Sequence, residues 1–490
     1  MRTLLAACAD NPFLVRHMRT RMRGFRAYGV LALWLGAISV LLSVVYVAWL
    51  HNRADGPGGG ASGAYHIGAE WNSVLFLVLG ALTVLVAPAL ATGAISGERE
   101  QRTMDLLVAG GVSPGRFVPG KLAGIGVFLG WLLFATLPAS SVGFLLGGVS
   151  GAQVVSGYAV LFAAGLGAAA MGLAISSACR TTVAATLFTY LAMATGLVGA
   201  VPLAWFDTQG YFSGGTVPVF RAVHPFAVDA ATSPVAWGPL HAPAWVPAVA
   251  MHLLLTGIFA TVAAHRLGAP RKDLSGPVRL MVGALAASLA VGMVAHARIA
   301  PLHGHDSAEG SLGSLPFAWV LPYVLAYGLP AVFATGAGLG AARGVPFLRR
   351  WAVADPVSGG WFSMLAALLP GMVACATALL HHDARRFADG VEMTAVGAVW
   401  AMAMVALAWN LSLRASNRWI AMAATLSVPL VGIAVLLLAR SMVPALAVLV
   451  DSNAEDPIAS IAVGAVATVA GCLTLAWRRR RLATAPITPR

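Results

Sequence analysis

The chain has 490 residues, of which 59% are hydrophobic and only 10% charged. A water-soluble domain carries about 25% charged residues to keep its surface wetted, so this composition excludes a soluble globular protein. The net charge of +13 is distributed as a membrane topology signal and calls for no nucleic-acid partner.

The apolar residues come in continuous blocks of roughly 20 or more, the length a helix needs to cross about 30 Å of hydrocarbon. Membrane-spanning strands would instead be short and alternating, and only helices or closed barrels satisfy every backbone group in lipid. The fold class expected is therefore an all-α polytopic membrane protein with about twelve transmembrane helices. The spans fall at roughly 27–50, 71–95, 122–149, 154–178, 183–204, 246–265, 280–297, 315–341, 361–380, 392–411, 419–439 and 457–477. A Pro- and Gly-rich stretch at 205–245 leaves room for a short re-entrant piece. With the N-terminus in the cytoplasm, 25 of the 31 Lys and Arg fall in inner segments, and 12 of the 18 acidic residues fall in outer ones. Lys and Arg resist translocation, and an even count of spans then puts both termini in the cytoplasm. The inner positive charge meets anionic membrane lipids.

Residues 1–26 form the first segment. Asn11 can cap a helix and Pro12 suits its first turn. At 100° per residue, Leu14, Val15, Met18, Met22 and Phe25 share one arc, and Arg16, Arg19, Arg23 and Arg26 the adjoining one. This is the pattern of an interfacial amphipathic helix, with those arginines at the headgroups. Leu5-Ala6-Ala7-Cys8 looks like a lipoprotein box, but the apolar run before it is too short for a signal peptide.

The loop after the second span, ATGAISGEREQRTMDLLVAGGVSPGRFVPGKL, carries the most information. Glu98, Arg99, Glu100, Arg102 and Asp105 make a charged helical turn leaving the membrane, with Glu98 and Arg102 at i, i+4. Met104, Leu106, Leu107 and Val108 are apolar residues outside the bilayer. Gly110-Gly111 is expected to end this helix, and Ser113-Pro114 to start the next. Such an element suits docking of another protein; a solvated helix end is the plainer alternative. Gly115 to Lys121 matches the opening of a phosphate-binding loop, but Leu122 stands where Ser or Thr should follow, and no strand precedes it. The chain is thus expected to have no nucleotide site, no cofactor and no enzymatic activity of its own.

Farther along, the predicted spans hold almost no charged residue away from their ends, and His252 in the sixth reads as a core residue. Coupling ions need charged partners at depth, so this interior speaks against a secondary transporter. His303, His305, His381 and His382 lie in outer loops beside Asp306 and Asp383, and could bind copper or zinc if the loops met; isolated loop histidines are the default. The four cysteines show no disulfide or zinc spacing.

The pattern E-R-E-x-x-T-M-D-L-L followed by S-P-x-R-F-x-x-G-K is similar to the loop of ABC-2-type ABC transporter permeases, particularly the subgroup related to multicopper-enzyme maturation permeases. The opening NPFLVRHMRTRMRGFRAY and the His224-Pro225-Phe226 stretch resemble the same family, and the resemblance covers roughly residues 10–270. It implies a six-span permease unit over 27–270, with a coupling loop at 96–121 that rests in a groove of a separate ATP-binding subunit. Glu98, Arg99, Glu100, Arg102, Thr103, Asp105, Leu106 and Leu107 are the implied coupling residues. Arg16, Arg19, Arg21, Arg23 and Arg26 belong to the interfacial helix, which touches the same partner or anchors to lipid. Residues 271–490 are a second six-span region of unassigned role, without a second E-R-E loop. Two copies of the chain, or this chain with a second permease, would complete the pathway. The expected function is export across a bacterial inner membrane; an ATP-independent secondary transporter and a membrane scaffold or sensor are the alternatives.

Overall fold

A computed structural model describes residues 25–54, 61–104, 114–145, 148–194, 231–237 and 240–267, with shorter helical pieces between 277 and 288, 362 and 379, and 391 and 411. The chain divides into two compact units, residues 1–236 with 241–274, and 275–490 with 237–240.

In the first unit, helix α1 runs from Phe25 to Ala54. It buries Trp34, Ile38 and Leu42, four residues apart, while Leu33, Val40, Val44 and Val47 remain exposed. Four-residue spacing puts the buried side chains on one face, and the exposed apolar face suits lipid. Helix α2 spans Ala61–Glu100 with Pro88 inside it. Its described apolar part, Gly68–Glu100, has 33 residues, or about 50 Å at 1.5 Å per residue, well beyond the hydrocarbon thickness. One end of α2 must therefore project into water, and that end carries Glu98, Arg99 and Glu100.

Helices α3 (Pro114–Phe134) and α4 (Leu137–Leu145) are one apolar stretch interrupted by a turn. Pro138 explains the interruption, since it has no amide to continue the ladder. Thr136 fills the gap, its hydroxyl donating to the Leu133 carbonyl (2.6 Å) and bonding the Tyr158 hydroxyl (2.9 Å). Helix α3 starts at Pro114, as the Ser113-Pro114 pair leads one to expect, and so runs ahead of the apolar span placed from 122.

Helix α5, Gly151–Ala178, opens with a capping box in which Ser150 and Gln153 bond each other's backbone amides. It is the centre of the unit and packs against α2, α3 and α7. Small residues make this possible. A Cβ on Gly165 would lie 2.3 Å from Leu129 Cδ2 and 2.9 Å from Thr83 Cγ2. With lipid as solvent, close backbone approach supplies the dispersion that apolar burial cannot. Helix α6 covers Thr182–Ala194, and α7 covers Trp245–Leu267. Leu75, Leu79, Ile95, Ile125, Leu129, Leu132, Leu161 and Leu173 join α2, α3 and α5 in one apolar core.

The described residues are mostly helical, as an all-α membrane protein requires, with one small addition. Strands β1 (Pro234–Trp237) and β2 (Leu240–Pro243) pair in a two-stranded sheet before α7. Val235 and Trp237 favour extended backbone, and Pro234 can stand at the edge of so small a sheet. Among the described residues, four helical stretches are long and apolar enough to cross a membrane: Gly68–Glu100, Pro114–Leu145, Gly151–Ala178 and Trp245–Leu267.

In the second unit, Arg279 is a buried cation, although the charge count places it with the inner segments. It is 1% exposed, on a helical piece that brings Gly283 against the Phe362 ring. Most of the expected spans beyond 280 lie outside the described residues.

Candidate functional site

The charged turn leaving α2 forms a knot of hydrogen bonds with three other helices. Helix α2 stops at Glu100, earlier than the Gly110-Gly111 expected to end it. The Thr103 amide donates to the Glu98 carbonyl (2.9 Å) and the Arg102 amide to the Arg99 carbonyl (3.0 Å), while Arg102 takes a φ of 56°. This is the Schellman arrangement, with an arginine where glycine usually stands. Helical backbone resumes at Met104. The break moves Arg102 off the helical face of Glu98, so the expected i, i+4 pair is replaced.

Glu98 instead meets Lys121 of α3, Oε1 to Nζ, at 3.0 Å, with side chains 20% and 13% exposed. Its other oxygen accepts the Thr103 hydroxyl in a short bond. The Lys121 ammonium also lies 5.4 Å from the centre of the Phe117 ring, near enough for cation–π attraction. Arg99 donates to the Cys179 carbonyl at the end of α5 (3.0 Å). Glu100 accepts from the Thr182 amide (2.8 Å) and hydroxyl (2.9 Å). Thr182 is the first residue of α6, so this carboxylate satisfies an open amide and sits at the positive end of that helix. Burial raises the pKa of the Cys179 thiol, with Arg266 and Arg99 partly opposing the rise.

Below the knot, hydroxyls replace apolar packing. The Ser96 hydroxyl donates to the Thr92 carbonyl (2.8 Å) and lies 3.2 Å from Thr182 Oγ1. Thr186 donates to Thr92 Oγ1 (3.1 Å), and Tyr190 to the Leu85 carbonyl (2.5 Å). Thr92, Ser96 and Ser176 are buried.

Of the expected coupling residues, Glu98, Arg99, Glu100 and Thr103 are thus brought together, and Arg102 stands exposed beside them. Asp105, Leu106 and Leu107 lie outside the described residues, as do Arg16, Arg19, Arg21 and Arg23. Arg26 is within α1. His303, His305, His381 and His382 are also outside the described residues. His252 is buried on α7, its backbone beside Gly167 of α5. Gly115 to Lys121, the partial phosphate-loop match, is helix from Pro114 onward and not the loop between strand and helix that a phosphate cradle needs. Sequence reasoning missed Ser176, Thr182 and the Cys179 carbonyl. Serines and threonines in apolar helices were the available signal, since buried hydroxyls need partners.

No protein-family model matches the chain, and no curated protein or solved structure matches it either. The fold itself defines the class: this is a mostly helical membrane protein. Within that class, side chains from one helix end bond to three neighbouring helices.

Proposed function

We propose that the chain is the membrane-spanning permease subunit of an ABC-2-type ABC transporter, an exporter of the bacterial inner membrane driven by a separate ATP-binding subunit. The observation that carries this reading is the placement of the E-R-E turn. It ends a helix that outruns the bilayer, and its three charged side chains reach α3, α5 and α6. A push on residues 101–113 would therefore be delivered to several spans at once, which is what a subunit without its own ATPase requires. The carboxylates of Glu98 and Glu100 are engaged within the chain, so they act as transmitters, and the exposed Gln101 and Arg102 lead the surface offered to the partner. A second copy of the chain, or a second permease, completes the transporter.

The test is purification from mild detergent, followed by assay of the complex in proteoliposomes. An ATP-binding subunit should co-purify. Glu98→Ala with Glu100→Ala should leave ATP hydrolysis largely intact while transport falls at least tenfold. Absence of an ATP-binding subunit, or full activity after deletion of residues 98–108, would sink the proposal.

A further inference from the structure

The Ser176 hydroxyl of α5 lies across one rung of helix α2. It donates to the Thr92 carbonyl (2.5 Å) and accepts from the Ser96 amide (2.9 Å) and the Ile95 amide (3.3 Å). Thr92 and Ser96 are the carbonyl and amide that close an i→i−4 rung in an α-helix. The Thr92 carbonyl also receives the Ser96 hydroxyl (2.8 Å), so two hydroxyl donors occupy both of its lone pairs. All of these groups are buried.

One turn toward the middle of α2, Pro88 removes another rung. A Cβ on Gly172 of α5 would lie 3.0 Å from Ala91 Cβ and 3.4 Å from the Pro88 carbonyl oxygen. The absence of a side chain at Gly172 therefore lets α5 approach closely enough for Ser176 to reach across. Insertion of a side chain into the helix ladder is a recognised cause of bending.

We infer that Ser176 is a two-position hydrogen-bond switch that sets the angle of the α2 end. In the inserted position it bridges Thr92 and Ser96, as observed. In the withdrawn position the Ser96 amide bonds the Thr92 carbonyl directly, and the Ser176 hydroxyl turns to the carbonyl of Gly172, four residues back on its own helix, a bond serine readily makes. Every buried donor and acceptor is satisfied in both positions, so neither carries the penalty of an orphaned polar group. Arg99 and Glu100 reach α5 and α6 on long side chains and can follow the movement. Two discrete, fully bonded arrangements are what a bistable element needs. The inference rests on this geometry alone and holds whether or not an ATP-binding subunit docks on the loop.

The experiment uses the full chain in nanodiscs, with its four native cysteines replaced by alanine. Spin labels are placed at Gln101 and His265, both exposed, and their separation is read by double electron–electron resonance. Ser176→Ala removes the bridge. Gly172→Ala pushes α5 off α2 and keeps the hydroxyl out of reach. Both should shift the distance distribution the same way, by about 3 Å, from a change of roughly 20° acting over the last turns of α2. A Ser176→Ala distribution that coincides with the parent, or that broadens without a shift, overturns the switch. Should Gly172→Ala fail to give monodisperse protein, Ser176→Ala decides alone.

Discussion

At the scale of single residues, Arg102 shows how little of a strained position is visible in sequence. Its φ of 56° costs a residue with a Cβ about 1 kcal/mol, which glycine avoids. Arg102→Gly should therefore raise thermal stability in detergent slightly, whereas Arg102→Val should lower it, both read by differential scanning fluorimetry. If Arg102 also meets the ATP-binding subunit, Arg102→Gly weakens coupling while stabilising the chain, and the two effects separate. Glu98 teaches the complementary lesson. Local spacing pairs it with Arg102, but the ion pair it makes is with Lys121, 23 residues away. Sequence patterns report neighbours along a helix, and this helix ends between the two residues expected to pair.

At the scale of elements, α5 depends on small residues to sit among its neighbours. A Cβ at Gly165 would fall within 2.3 Å of a Leu129 methyl, and Leu129 is fully buried, so the methyl has nowhere to go. Gly165→Ala should destabilise the bundle by about 2 kcal/mol through overpacking. Gly151→Ala, where a Cβ would meet open space, should be neutral or slightly stabilising. Thermal denaturation of the two variants side by side checks the difference. Helix α6 is held differently. Val183, Leu187 and Leu191 are exposed, whereas Thr182, Thr186 and Tyr190 bond α2. Its four-residue spacing of polar side chains was readable in the sequence, but their partners on α2, 82 to 105 residues away, were not.

At the scale of the whole molecule, the charge asymmetry makes a prediction independent of any site. Alkaline phosphatase fused after residue 60 should be active, because the distribution of Lys and Arg assigns that loop to the outside. Fused after residue 110 it should be inactive, because the same rule assigns the Arg-containing loop to the cytoplasm. The reverse pattern would invert the topology and remove the E-R-E turn from reach of any cytoplasmic partner. Apolar block length alone located the segments that became α1, α2, α3 with α4, α5, α6 and α7, because crossing lipid demands long uninterrupted helices. It also marked 98–105 as a polar turn beyond the bilayer. It did not foresee the strand pair at 234–243, where short extended segments leave almost no periodic signal, or the burial of Arg279. What the sequence by itself determined is a helical membrane protein with a charged turn at the end of its second span. Only the tertiary structure decided what that turn holds, because Lys121, Cys179 and Thr182 are brought to it by helix packing and not by their place along the chain.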